Sequence, residues 1–209
     1  MSYAKAGASG IVVLARSDLS ELEDEIVAAA KRAGRNPPKV FRAHVDITDQ
    51  AALEKIVNEV LSIFGHVDTL INNAGYLERF APLANSDPEE WWKTFEVNVK
   101  GVYLTIRSFL PLLLKSQLKT IVTCSSVGAN LSTPGSSSYG TTKSVVLRLN
   151  GFLMAEYGEQ GILAYAIHPG GVRTEMARKL PDEMQGWIID TPELCGDTLV
   201  FLTKKRQEW

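Results

Sequence analysis

The sequence predicts an α/β protein built on an open, doubly wound parallel sheet. Two observations carry this. Strand-like, β-branched runs alternate with helically periodic segments along the chain. The chemically suggestive residues fall just after the strand-like runs, where ligands bind in such sheets. Alternation of this kind implies parallel βαβ units.

"GIVVLAR" (Gly10–Arg16) is the first strand-like run. "DLSELEDEIVAAAKRAG" has helical periodicity, with Leu19, Leu22, Ile26 and Ala29 or Ala30 on one face and Gly34 as its stop. "KVFRAHVDI" is the next strand. "TDQAALEKIVNEVLSIFG" is a helix capped by Thr48 or Asp49, with Leu53, Ile56, Val57, Val60 and Leu61 as its buried stripe. "VDTLINNAG" is a strand running into a turn. The long helix that follows is capped by Asp87, with Pro88 in its first position and Pro111 bending or breaking its last part. "LKTIVTCSS" is a strand, "SSYGTTKSVVLRLNGFLMAEYGEQG" a helix, "ILAYAIHPGGV" a strand and "TPELCGDTLVFLT" a last helix.

The 209 residues suit a single domain, and 45% hydrophobic residues suffice for a sizeable core. A net charge of −2 gives no basic field for nucleic acid. Two isolated cysteines, Cys124 and Cys195, make neither a disulfide framework nor a metal motif, and point to a reducing, cytoplasmic setting. No uninterrupted run reaches the ~18 apolar residues of a membrane span. His44, His66 and His168 lack metal-ligand spacing, so no metal is expected.

The strongest chemical signal is Tyr139-Gly140-Thr141-Thr142-Lys143. Four apart on a helix, the phenol and the ammonium share a face. A neighbouring ammonium lowers a phenol pKa from about 10, which suits proton exchange near neutral pH. A surface Tyr and Lys at this spacing also arise by chance, so the pair alone is weak. Its neighbours add weight. Ser126 lies thirteen residues before Tyr139, at the end of a strand, and "INNAG", "NVKG" and "HPGGVRT" follow one another in order.

With these motifs the sequence resembles the short-chain dehydrogenase/reductase family from "AKAGASGIVVLAR" to "DTLVFLT", and its late part is most similar to fungal members. The resemblance implies a Rossmann-like oxidoreductase that interconverts a small, apolar ketone and alcohol, with a place in fungal secondary metabolism. Tyr139 would be the general acid or base, and Lys143 would hold the nicotinamide ribose and lower the Tyr139 pKa. Ser126 would orient the substrate oxygen, with Ser125 as its rival. Asn98 would support a water-linked proton path to Lys143, or plug a helix irregularity. Asn73, Ala74 and Gly75 would line the cofactor pocket, although Asn and Gly favour turns in any case. Asp46 would meet the adenine, or serve as a capping residue. Val172 and Thr174 would contact the cofactor, and Arg107 stands where a basic residue is often assigned to it. NAD sites place an acidic residue after the second strand. Here stand Arg16 and Ser17, suited to a 2′-phosphate, with Asp18 more suited to capping the next helix. NADP(H) is therefore favoured over NAD(H). "EMARKLPDEMQGWIIDTPE" matches a substrate lid, in which Met176, Leu180, Met184, Trp187 and Ile188 either cover an apolar substrate or simply pack. By family analogy a homo-oligomer is expected, with neither nucleic acid nor membrane as a partner.

"AGASG" (Ala6–Gly10) invites reading as a phosphate loop, yet no strand precedes it and it feeds a strand. The resemblance makes it the end of a helix turning into the second strand, with Gly7 as the stop. It places the first strand and a TGxxxGxG loop before Met1, and a further strand after "KKRQEW". The expectation is one incomplete domain over residues 1–209: a Rossmann-like, doubly wound parallel sheet lacking the usual first and last strands. The missing strand would lie between those of "IVVLAR" and "VDTLINNAG", leaving the two without a shared neighbour. The alternative function is a truncated, catalytically impaired remnant.

Overall fold

In the computed structural model, which describes residues 1–205, the chain opens on a short helix, α1 (Ser2–Lys5). Its end is a Schellman turn: Gly7 N–H donates to Ala4 O, Ala8 N–H donates to Tyr3 O, and Gly7 holds φ +89°. The chain then enters β1 (Gly10–Ala15). "AGASG" is thus a helix stop leading into a strand.

Helix α2 (Leu22–Arg32) buries Ile26, Ala29 and Ala30. Asp18 does not cap it. Its carboxylate instead accepts from Ser20 N–H and Oγ, fixing the turn before the helix. Strand β2 (Lys39–His44) pairs in parallel with β1, Gly10 opposite Lys39. Helix α3 (Gln50–Phe64) is capped by Asp49, which accepts from Ala52 N–H, and it buries Leu53, Ile56 and Val60.

Strand β3 (Thr69–Asn72) leads through a loop to α4 (Pro88–Phe95), whose cap Asp87 accepts from Glu89 and Glu90 N–H. A π-helical turn, Glu96–Gly101, joins α4 to α5 (Val102–Leu114). Pro111 lies inside α5 without ending it. From Pro88 to Leu114 this is one 27-residue helix, long and apolar enough by composition to cross a membrane. Yet 56% of its most apolar window is buried inside the fold, as in a core helix.

The remaining elements are β4 (Thr120–Cys124), α6 (Ser137–Tyr157), β5 (Leu163–Ile167), the short α7 (Asp182–Gln185) and α8 (Pro192–Lys204). Arg206 to Trp209, the end of the "KKRQEW" segment, lie outside the described residues.

All described strand pairings are parallel, but they make two sheets: β1–β2, and β3–β4–β5. β1 and β3 share no ladder, as expected of the "IVVLAR" and "VDTLINNAG" strands. Packing links the two sheets. One core cluster holds Val60, Leu70, Ile106, Phe109 and Ile121, with Val12, Leu14 and Phe41 of the first sheet packed against it.

Two glycines set the entry to β1. Gly7 has space for a methyl group but a left-handed backbone, so Gly7→Ala is expected to lower the unfolding free energy by about 1–2 kcal/mol. A Cβ on Gly10 would lie 2.7 Å from Phe64 Cε1, so Gly10→Ala is expected to cost about 1–3 kcal/mol by overpacking. Urea denaturation measures both, and unchanged midpoints would contradict them.

Candidate active site

The carboxyl ends of β3, β4 and β5 converge on the first half of α6. Lys143 is 5% exposed, and its ammonium donates to Cys124 O at 2.8 Å, at the end of β4. The same ammonium stands over the Tyr139 ring, 5.4 Å from its centre. The Ser126 hydroxyl is the neighbour whose hydrogen-bonding influence favours the charged form of the Tyr139 phenol. Ser126 also accepts from Gly128 N–H at 3.1 Å, capping a short 3-10 turn. Its neighbour Ser125 is buried and donates to Lys143 O at 2.9 Å. The structure therefore separates the rivals: Ser126 meets the phenol, and Ser125 fastens β4 to α6.

Asn98 lies in the π-helical turn, 1% exposed. Its Oδ1 accepts from Tyr76 N–H at 2.7 Å, while Nδ2 donates to Tyr76 O at 2.9 Å and Thr142 Oγ1 at 3.1 Å. One amide thus joins the loop after β3 to α6. Thr142, whose hydroxyl carries no signal in the sequence, relays that link by donating to Tyr139 O at 2.8 Å. Gly75 stands at this convergence: a Cβ there would make ordinary contacts, 3.5 Å from Asn98 Oδ1 and 3.7 Å from Lys143 Nζ.

Burial pushes the Tyr139 phenol up from its ordinary pKa, with the Ser126 hydrogen bond opposing it. Burial likewise pulls the Lys143 ammonium down. This reverses the lowering of Tyr139 expected from the four-residue spacing. In this arrangement the ammonium is directed to a carbonyl oxygen, and the loss of water is the largest influence on the phenol.

Along the strand ends, Arg16 follows β1 and Asp46 follows β2, and their side chains meet at 3.5 Å. Asp46 Oδ1 also accepts from Thr48 N–H and Oγ1, which holds its carboxyl below the usual range. Asp46 therefore does not cap α3, a place Asp49 holds, but fixes the turn before it through Thr48 while staying partly exposed. Asn73 and Ala74 are exposed, and Asn73 Oδ1 accepts from Cys124 Sγ at 3.4 Å. The structure does not bring Arg107 to this cluster. It lies on the exposed face of α5 beside Tyr103, because Val102, Thr105, Ile106 and Phe109 form the buried face.

The short chain dehydrogenase family matches residues 1–185. The chain is 47% identical to the short chain dehydrogenase citE of Monascus ruber over 209 residues, covering 100% of this chain and 72% of that protein. A 3-ketoacyl-ACP reductase from Sinorhizobium meliloti superposes with a TM-score of 0.80 at 26% identity, covering 98% of this chain and 85% of the other. An alcohol dehydrogenase from Thermococcus sibiricus gives 0.81 at 25% identity, covering 97% and 83%. The chain belongs to the short-chain dehydrogenase family.

In this short-chain dehydrogenase the segment after β5 folds back over the cluster. Gly170 has φ +86°, and Gly171 N–H donates to Asp190 Oδ2 at 2.7 Å. Val172 bridges to Asp190, and Thr174 Oγ1 accepts from Ala177 N–H. Neither Val172 nor Thr174 contacts Tyr139 or Lys143 through a hydrogen bond among the described residues. Met176 Cε approaches to 3.4 Å from where a Cβ on Gly75 would sit. Lys179 donates to Leu77 O at 2.8 Å and stands over the Tyr76 ring at 4.3 Å. Of the other lid candidates, Ile188 is buried, Leu180 and Met184 are half-buried, and Trp187 is 64% exposed.

One residue of this site has no sequence signal at all. Glu78, a lone acid in the loop after β3, is 3% exposed. Its Oε1 accepts from Ser138 N–H at 3.1 Å and Tyr139 N–H at 3.0 Å, and its Oε2 accepts from Thr94 Oγ1 at 3.2 Å. No spacing or periodicity in "YLERF" marks it, because its partners in α6 lie about sixty residues later.

Two outcomes test these contacts. A Cβ on Gly171 would lie 2.1 Å from Trp187 O, a backbone atom that cannot yield without moving the lid. Gly171→Ala is expected to loosen residues 172–190, read as faster proteolysis there with β4 and α6 still protected; unchanged cleavage would contradict it. The lowered Lys143 pKa means that the folded state holds this proton less tightly than the unfolded chain. Its penalty is full below the folded pKa and is relieved as pH rises toward the ordinary 10.5. Lys143→Met is therefore expected to keep or raise the melting temperature at pH 7. A fall of more than about 5 °C would show that the bond to Cys124 O outweighs the burial cost.

Proposed function

We propose that this short-chain dehydrogenase is an NADP(H)-dependent oxidoreductase that interconverts a small, apolar ketone and its alcohol, with Tyr139 exchanging the proton. The observation that carries this is the meeting of Tyr139 with Ser126 and with the Lys143 ammonium at the carboxyl ends of the strands. The reductase from Sinorhizobium meliloti and the dehydrogenase from Thermococcus sibiricus are both named for carbonyl–alcohol chemistry, and the latter is complexed with 5-hydroxy-NADP.

The residues present fit a nicotinamide dinucleotide. Gly75 adds no side chain of its own to the floor beside Asn98 and Lys143, where Met176 also reaches. Asn73 and Ala74 offer an exposed strand end. Arg16, with 57% of its side chain exposed, offers a cation to a 2′-phosphate, and Asp46 beside it partly balances that charge. Val172 and Thr174 would take the carboxamide and phosphate ends. The bound nicotinamide supplies or accepts the hydride.

Ser126 Oγ donates a hydrogen bond to the substrate carbonyl oxygen and orients it. Tyr139 Oη, kept neutral by burial, gives that oxygen its proton as the carbonyl carbon is reduced; in oxidation the proton returns to Tyr139. Lys143 would hold the ribose hydroxyls and balance the phenolate. Asn98 keeps the Tyr76 loop and α6 in register. Met176, half-buried over Gly75, contributes an apolar roof for the substrate.

A second reading, a catalytically impaired member, draws on one observation. β1–β2 and β3–β4–β5 share no ladder, so the strand ends that would share a dinucleotide are joined only by packing. Fluorescence titration with NADPH and NADH, followed by turnover with a carbonyl panel, decides between the readings. Binding of NADPH in preference to NADH, with turnover, is expected. Tyr139→Phe is expected to cut turnover by about 100-fold or more while keeping NADPH affinity. No binding of either nucleotide would favour the impaired protein.

A further inference from the structure

We propose that Glu78 is a positioning residue for Tyr139: its buried carboxylate caps α6 from outside the helix and so sets where the phenol stands. A helix leaves its first N–H groups without internal partners, and the residue before the helix ordinarily satisfies them with its side chain. Ser136 holds that place in α6, but its hydroxyl donates backward to Thr133 O and makes no cap. The N–H groups of Ser138 and Tyr139, which such a cap would take, both go to Glu78 Oε1. Fully buried Thr94 Oγ1 lies 3.2 Å from the second carboxylate oxygen and shares its one proton between that oxygen and Glu90 O, at 3.0 Å.

The consequence is specific to Tyr139, because one of the two capped amides is its own. The same first turn is tied to α4 by Trp91 Nε1–H donating to Ser137 Oγ at 3.0 Å and by Ser138 Oγ donating to Trp91 O at 2.7 Å. α4 thus anchors the start of α6, and Glu78 takes two donors of its first turn. The carboxylate also stands at the positive end of the helix dipole, where a negative charge is favoured. Its charge reaches the phenol as well, holding Tyr139 toward the protonated form.

The kinetic part of this proposal rests on Tyr139 as the proton-exchanging group; the structural part does not. Three variants separate geometry from charge. Glu78→Gln keeps an oxygen for both N–H groups and removes the charge. Glu78→Asp keeps the charge and falls one methylene short. Glu78→Ala removes both. Hydrogen exchange reads the cap directly. In the Asp and Ala variants the amides of residues 138 and 139 are expected to exchange at least about tenfold faster, with protection kept at Val146 and Asn150. In the Gln variant they are expected to stay protected. NMR titration of ring-labelled tyrosine, assigned with Tyr139→Phe, is expected to show a lowered phenol pKa in Glu78→Gln. Where turnover is measured, kcat is expected to fall by about tenfold or more in Asp and Ala with little change in cofactor KM, and Gln is expected to restore most of it.

Unchanged exchange at 138 and 139 in both Asp and Ala variants overturns the proposal. So does uniform loss of protection along α6, which would make Glu78 a general stabiliser. If Ala does not fold, the contrast between the Asp and Gln variants decides the matter alone. A wild-type protein that turns over no carbonyl compound sinks the reading of Tyr139, yet leaves the exchange and titration results to judge Glu78.

Discussion

The amide of Asn98 joins segments that the chain keeps far apart, and the site is built around that joint. Its oxygen and nitrogen take both backbone groups of Tyr76, and the nitrogen also reaches Thr142. An amide that is 1% exposed must satisfy its polar atoms inside the protein. The π-helical turn Glu96–Gly101 places it where it can. From this follow the course of the loop after β3, the position of Glu78 two residues on from Tyr76, and the hold on α6 through Thr142. The structure shows the plug, with both Nδ2 protons spent on Tyr76 O and Thr142 Oγ1.

The rest of the fold supports this joint through packing more than through strand pairing. β4 is buried along its whole length and carries β3 and β5 on its two sides. The β1–β2 pair contributes to the same core by its side chains alone. Side-chain packing is short-ranged and sensitive to volume. The relation between Arg16 and the Tyr139 cluster therefore depends on residues such as Phe64 and Leu70 that touch neither.

What the sequence discloses follows physical range. Elements whose cause is local are legible in it: the Schellman glycine at Gly7, the caps Asp49 and Asp87, and the buried stripe of α3. Tyr139 and Lys143 are legible because a helix turns an interval of four into one face. Glu78 and the meeting of Asn98 with Tyr76 are not, because no periodicity links a loop acid to a helix start sixty residues away. The Tyr139 shift runs opposite to the direction its spacing suggests for a related reason. Spacing reports proximity, whereas the pKa depends on burial contributed by the whole fold. Arg107 shows the opposite limit: its position along the chain suggests the cofactor, and the helix phase of α5 turns it to solvent.

Burial acts on Tyr139 and Lys143 in opposite directions but toward one end, the neutral form of each. A phenolate–ammonium pair would have to recover in mutual attraction what both lose in hydration, and the ammonium already directs a bond to Cys124 O. The site therefore holds a proton on the phenol at neutral pH. That is the state needed to protonate a carbonyl oxygen, whereas oxidation of an alcohol must first remove the proton against the burial cost. Ser126 is the neighbour that works the other way, since its hydrogen bond favours the phenolate. The balance between phenol and phenolate is thus set by burial against the Ser126 hydrogen bond. The four-residue spacing brings the two groups together but does not set that balance.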